Sequence, residues 1–105
     1  MRTQLRKGVL EYCVLACLRD GPAYGLQLAA RLTAGGLLSS EGTLYPLLSR
    51  LRTRGWVQTT WHESSSGPPR RYYAMTAEGT SALAAFGATW SPFAQGVTDV
   101  LEGLR

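Results

Sequence analysis

Five arginines stand between positions 50 and 71, at Arg50, Arg52, Arg54, Arg70 and Arg71, with Glu63 the single acid among them. That interval holds an excess of four positive charges, while the rest of the 105-residue chain, six bases against six acids, balances. Ten of the eleven bases are arginine. The planar guanidinium fork suits phosphate oxygens and guanine edges better than an ammonium does. A concentrated patch of it is the electrostatic footprint of a polyanion partner; a solvated basic surface is the plainer alternative.

Other chemistry is thin. Cys13 and Cys17 are four apart in an apolar run, and on a helix they share a face that could start a metal site. Zinc needs two more ligands, however, and His62 is the one histidine. Buried free cysteines, neither disulfide-bonded nor metal-bound, are therefore expected. Ser64, Ser65 and Ser66 lie beside His62 but precede Gly67-Pro68-Pro69, which describes a turn. The chain has no nucleophile elbow, no phosphate-binding Gly-Lys-Ser/Thr loop, no His-Glu-x-x-His and no close carboxylate pair. The expectation is a protein that is not an enzyme and needs no cofactor and no metal.

The elements that must carry the arginines follow from pattern. A chain of this length makes one domain, and 45% hydrophobic residues suffice for a core. No apolar run approaches the roughly 18 residues of a membrane span, and Arg2, Arg6 and Lys7 lead into no signal pattern, so a soluble cytoplasmic protein is expected. Helical spacing appears over about Leu5–Leu18, ended by Asp20-Gly21-Pro22, and over about Tyr24–Thr33, ended by Ala34-Gly35-Gly36. Ser40 is a good N-cap for a third helix, in which Leu44, Leu47, Leu48 and Leu51 form one apolar stripe. The opposite face gathers Gly42, Pro46, Ser49 and Thr53, flanked by Tyr45 and Arg50, with no acid. Pro46 is expected to distort this helix, and Gly55 to stop it. Trp56–Glu63 alternates as a strand, Ser64–Pro69 turns, and Arg70–Met75 returns, making a hairpin with arginines just past its tip. Thr76 caps a last helix.

Three helices followed by a basic hairpin have the order of a winged helix-turn-helix. In that fold the third helix enters the DNA major groove and the wing reaches the backbone or minor groove. The fold class is therefore read as α+β, mainly α, with residues 1–76 as the DNA-binding unit and 77–105 as a C-terminal dimerisation helix, together one compact body.

At this point the motifs resemble those of the PadR-type transcriptional regulators. Gly8-Val9-Leu10-Glu11-Tyr12-Cys13-Val14-Leu15 is similar to the family's opening helix, and Gly21-Pro22-Ala23-Tyr24-Gly25 to its turn into the second, with Leu26 where an aromatic is usual. Gly42-Thr43-Leu44-Tyr45-Pro46-Leu47-Leu48-Ser49-Arg50-Leu51 is the most specific match. Gly67-Pro68-Pro69-Arg70-Arg71-Tyr72-Tyr73 and Thr76-Ala77-Glu78-Gly79 resemble its wing and final helix. The resemblance covers nearly the whole chain. It implies a dimeric regulator, usually a repressor, that releases DNA on binding an effector, and it implies that Pro46 is tolerated. The single C-terminal helix is similar to a compact subgroup, some of whose members sense hydrophobic drug-like or phenolic compounds.

The C-terminal residues speak for a dimer on their own. Leu83, Phe86, Trp90, Phe93, Val97, Val100 and Leu104 alternate three and four apart, the seam of a helix that meets another helix. Packing against the chain's own first helix is the alternative. Pro92, after Ser91, either kinks this helix or restarts it with Ser91 as cap. Phe86, Trp90 and Phe93 are too bulky to interdigitate as leucines do, so they either line a pocket for a planar effector or are simply core. Ser40, Gly42, Thr43, Tyr45, Pro46, Ser49 and Arg50, with Arg70 and Arg71, are the expected DNA contacts. The partner is a pseudo-palindromic double-stranded operator, and the rival reading is a winged-helix module that binds protein and never DNA.

Overall fold

The structure, a computed structural model, describes residues 2–38 and 40–103, with side chains from Gly8 onward. Helix α1 (Arg2–Cys17) is followed by a two-residue strand β1 (Ala23–Tyr24) and helix α2 (Gly25–Ala34). A single 3₁₀ turn, Glu41–Thr43, leads into α3 (Leu44–Thr53). Strands β2 (Val57–Ser64) and β3 (Gly67–Met75) form the hairpin, and α4 (Ala77–Leu101) closes the chain. The sheet is antiparallel in the order β1-β3-β2. This is the winged helix-turn-helix that the pattern predicts, with the addition of β1.

Leucines hold it together. Leu10, Val14, Leu15 and Leu18 of α1 meet Leu28, Ala29 and Leu32 of α2, the α3 stripe of Leu44, Leu47, Leu48 and Leu51, and Ala23, Val57 and Tyr73 of the sheet. Leu15, Leu28, Leu44, Leu48 and Leu51 are fully enclosed. Removing any one to alanine costs about 2–5 kcal/mol.

The C-terminus of α3 shows how the chain turns from helix to wing. The Trp56 amide donates to the Leu51 carbonyl at 3.0 Å and the Gly55 amide to the Arg52 carbonyl at 2.9 Å, satisfying two orphan carbonyls. This pairing needs Gly55 at φ +79°, where a side chain is strained.

Three local expectations are corrected. Ser40 makes no side-chain cap; instead the Thr43 hydroxyl donates back to the Ser40 carbonyl at 2.8 Å, because the chain enters through a 3₁₀ turn. With α3 starting at Leu44, Pro46 falls in its first turn, where the missing N–H would have had no helical partner, so it distorts nothing there. The turn between the strands is shorter than Ser64–Pro69, because Gly67 pairs with Ser64 and both prolines belong to β3. They sit where the register slips between His62 and Ser64, a bulge that has no use for their missing donors.

Helix α4 runs unbroken through Pro92, so Ser91 caps nothing. The carbonyl that Pro92 leaves without its helical donor is that of Ala88, an exposed residue. The working cap is Thr76: its hydroxyl accepts from the Gly79 amide at 3.1 Å and donates to the Gly55 carbonyl at 2.6 Å. Gly79 is buried, and a Cβ there would lie 2.2 Å from the Trp56 carbonyl oxygen, so the helix root can be seated only on glycine.

Candidate nucleic-acid interface

The outer face of α3 presents Thr43, Tyr45, Pro46, Ser49, Arg52 and Thr53 to solvent, with Ser40 and Gly42 exposed just before it. From Thr43 to Thr53 there is no acid. Tyr45 is steered by α2: a Cβ on Gly25 would lie 2.9 Å from its hydroxyl, so glycine at 25 is what lets the phenol approach the neighbouring helix so closely. Arg52, outside the expected set, continues the Tyr45–Ser49 row at the next helical step. That spacing was the available signal.

Arg50, one of the expected DNA contacts, is engaged within the chain. Its Nε donates to one oxygen of Glu11 at 2.9 Å, and Nη1 of Arg54 donates to the other at 2.7 Å. The Glu11 side chain is 8% exposed, against 37% for Arg50 and 45% for Arg54. Burial pushes the carboxyl up, but two charge-assisted hydrogen bonds and the charges behind them outweigh it and hold Glu11 below the usual carboxylate range. Two of the five arginines thus fasten α3 to α1. The row of α3 that holds Arg50 turns toward α1, so this guanidinium has a protein partner before any ligand arrives.

Among the described residues no acid pairs with the wing arginines, and both lie on rings. Arg70 sits 4.4 Å above the centroid of Tyr24, and Arg71 sits 5.0 Å above that of Trp61. Residues alternate across the pleat, so Arg70, Tyr72 and His62 share one face, and Arg71, Trp61, Tyr73 and Val57 share the other, which is the core side. Tyr72 meets Tyr24 edge-on at 5.4 Å and His62 at 4.6 Å. The contacts Arg70–Tyr24, then Gly25 next in the chain, then Tyr45, join wing and α3 into one surface.

The seam of α4 is divided. Leu83 packs against the core, and Phe86 stacks on Tyr12 of α1 at 4.2 Å and 6°. Tyr12 in turn touches Trp56 at 5.8 Å, beneath Arg54. Phe86 is therefore filled from within the chain, the alternative to an intersubunit pocket residue. Trp90 stacks on Phe86 at 5.6 Å, Phe93 follows at 6.5 Å, and both are exposed with Val97 and Val100. Leu101, which the heptad count passed over, is 80% exposed beside them. A shallow apolar groove of about 540 Å³ runs along Pro92, Phe93, Gly96, Val97, Val100 and Leu101. Leu104 lies outside the described residues.

Cys13 and Cys17 are free and half-buried, and burial raises both thiols. Among the described residues no three His, Cys, Asp or Glu side chains gather as a metal site, and no helix is long and apolar enough to cross a membrane.

Comparison with known families gives a match to the transcriptional regulator PadR-like family over residues 14–85, a span from the last turn of α1 to the first third of α4. The chain belongs to the PadR family. A PadR family regulator from Eggerthella lenta DSM 2243 is 39% identical, with a TM-score of 0.83 over 98% of this chain and 90% of that one. A PadR-like regulator from Bacillus cereus ATCC 14579 is 36% identical, with a TM-score of 0.81 over 95% and 98%. Bacillus subtilis PadR, solved in complex with operator DNA, shares the fold at 23% identity and a TM-score of 0.67, over 74% of this chain and 46% of that one. PadR proteins are transcriptional regulators and not enzymes. The motif glycines of this PadR chain have geometric reasons: Gly25 admits Tyr45, Gly55 ends α3, and Gly79 seats α4.

Proposed function

We propose that this PadR protein is a homodimeric DNA-binding repressor that leaves a pseudo-palindromic operator when a small aromatic effector enters between its C-terminal helices. The observation that carries the DNA reading is the surface running from the acid-free face of α3 through Tyr45, Gly25 and Tyr24 to Arg70. A helix with a small, polar outer face suits the major groove, and a hairpin whose guanidiniums lie on rings suits phosphates or the minor groove beside it.

Thr43, Tyr45 and Ser49 are assigned to base edges and nearby phosphates, and Arg52 joins them. Ser40, Gly42 and Pro46 shape the entry to the helix. Arg50 acts mainly through Glu11, by fixing the orientation of α3. Arg70 and Arg71 supply sequence-independent affinity.

Two further features support the assembly. The bare apolar row from Trp90 to Leu101 is what a second α4 would cover. The rings Phe93, Trp90, Phe86 and Tyr12 make a continuous series from that row to α1, which Glu11 ties to α3. An effector on Trp90 would act along that series, and only through its differential affinity for the two arrangements.

Selecting duplexes from a random DNA pool tests the reading. The expected product is a pair of half-sites about 34 Å apart, bound with affinity that falls steeply as salt rises. Failure to bind any duplex in dilute buffer overturns it, and capture of a protein with little salt dependence would favour an interaction module. Titrating planar dyes against tryptophan fluorescence, with Trp90→Ala as control, tests the effector; no saturable change removes it.

A further inference from the structure

We infer that Trp61 is a positioning residue for Arg71 at the nucleic-acid surface, an inference that rests on the DNA-binding reading above. Trp61 and Arg71 are direct cross-strand partners, which brings their Cβ atoms to about 5 Å. Trp61 lies on the core face of the hairpin but beyond the core, and 63% of it is exposed. A tryptophan that buries so little of itself contributes little to the fold through burial. Its ring contact is the guanidinium of Arg71, 5.0 Å above the indole centroid.

Stacking and hydrogen bonding use different parts of a guanidinium. The ring takes its flat face, and the N–H groups point outward in its plane. One edge of this fork is closed, since Nε of Arg71 is shielded from solvent and has no hydrogen-bond partner among the described residues. The remaining donors are the two terminal nitrogens, the pair that grips one phosphate group in bidentate fashion. The indole thus holds a flexible side chain in its binding geometry beforehand, which removes part of the ordering cost of contact. Arg70 differs, because its ring, Tyr24, belongs to the body of the protein and lies on the opposite face of the hairpin.

Phosphate contacts are blind to sequence, so a labelled duplex of mixed sequence serves as the probe, titrated with the full chain over a range of salt concentrations. Arg71→Ala is expected to weaken binding about tenfold and to lower the salt slope by about 0.9 for each wing that loses its phosphate. Trp61→Ala, which removes no charge, should give part of that loss with the slope nearly kept, Trp61→Phe should restore most of the affinity, and the double variant should be no worse than Arg71→Ala alone. Circular dichroism melting checks that each variant folds. If Trp61→Ala does not fold, Trp61→Leu, which keeps apolar bulk without a ring face, takes its place with the same expectation. A Trp61→Ala variant that folds and binds as tightly as wild type, or losses that add in the double variant, overturns the inference while the DNA reading stands. Wild-type protein that ignores the duplex in dilute buffer overturns both.

Discussion

The two halves of α4 carry one apolar rhythm and meet opposite surroundings. In the first half, Leu83 reaches the core and Phe86 lies flat on Tyr12. In the second, Phe93, Val97, Val100 and Leu101 lie open to solvent along a bare groove. The helix is 25 residues long, about 37 Å at 1.5 Å per residue, and the molecule extends 58 Å along its long axis against 29 and 22 Å across. The first half therefore has α1 beneath it, and the second has run past its own fold. A heptad seam states that a face needs covering; only the available neighbour decides what covers it.

That contrast can be broken at four places, taken from the largest effect on the fold to the smallest. Gly79→Ala forces a methyl into the Trp56 carbonyl and unseats the root of α4, with an expected loss of about 3 kcal/mol or more in chemical denaturation. Phe86→Ala removes the stack on Tyr12 and should cost about 2–3 kcal/mol, reduced from the fully buried value because Phe86 is half-exposed. This loss should not depend on protein concentration, since the contact lies within one chain; a concentration-dependent loss would move Phe86 to the intersubunit side.

Glu11→Gln acts beside that stack by loosening α3 from α1, with an expected cost of about 1–3 kcal/mol at neutral pH. Losing a buried charge sets the upper end, and solvent screening of the two half-exposed arginines the lower. The sign with pH follows from the depressed carboxyl. The stabilisation is complete above the unfolded value of about 4.3 and is lost as pH falls through the lower folded value, so wild type and variant should converge in acid. A gap that persists at the lowest pH would mean that charge is not what Glu11 contributes.

Val97→Asp, in the second half, should change the stability of the single chain by no more than about 0.5 kcal/mol, because the site is exposed. Its effect belongs to the proposed dimer. Sedimentation should shift from two chains to one, and the melting temperature should lose its dependence on concentration. A variant that stays dimeric places the interface elsewhere.

Much of this was legible beforehand for physical reasons. The α3 stripe of Leu44, Leu47, Leu48 and Leu51 repeats at helical spacing, and all four are buried. The alternation from Val57 to Trp61 marked β2, and Thr76 with Gly79 marked the start of α4. The misses have physical causes too. Strand β1 has two residues and exists only because Ala23 and Tyr24 pair with Tyr73 and Tyr72, some fifty residues away. Pro46 looked disruptive because the helix was begun too early, and a 3₁₀ entry leaves no mark in composition. No spacing rule foretells that a glutamate in α1 would take Arg50 and Arg54 together.

Periodicity, turn chemistry and the clustering of arginine settle the four helices, the hairpin and where the charge lies, because each depends on neighbours within a few residues. Which arginines are free, which half of α4 is covered, and which ring each guanidinium lies on depend on groups brought together from distant positions, as Glu11 meets Arg54 across 43 residues. Those pairings exist only once the leucine core has closed. The same packing that buries Glu11 against two arginines leaves Arg70 and Arg71 on aromatic faces at the surface.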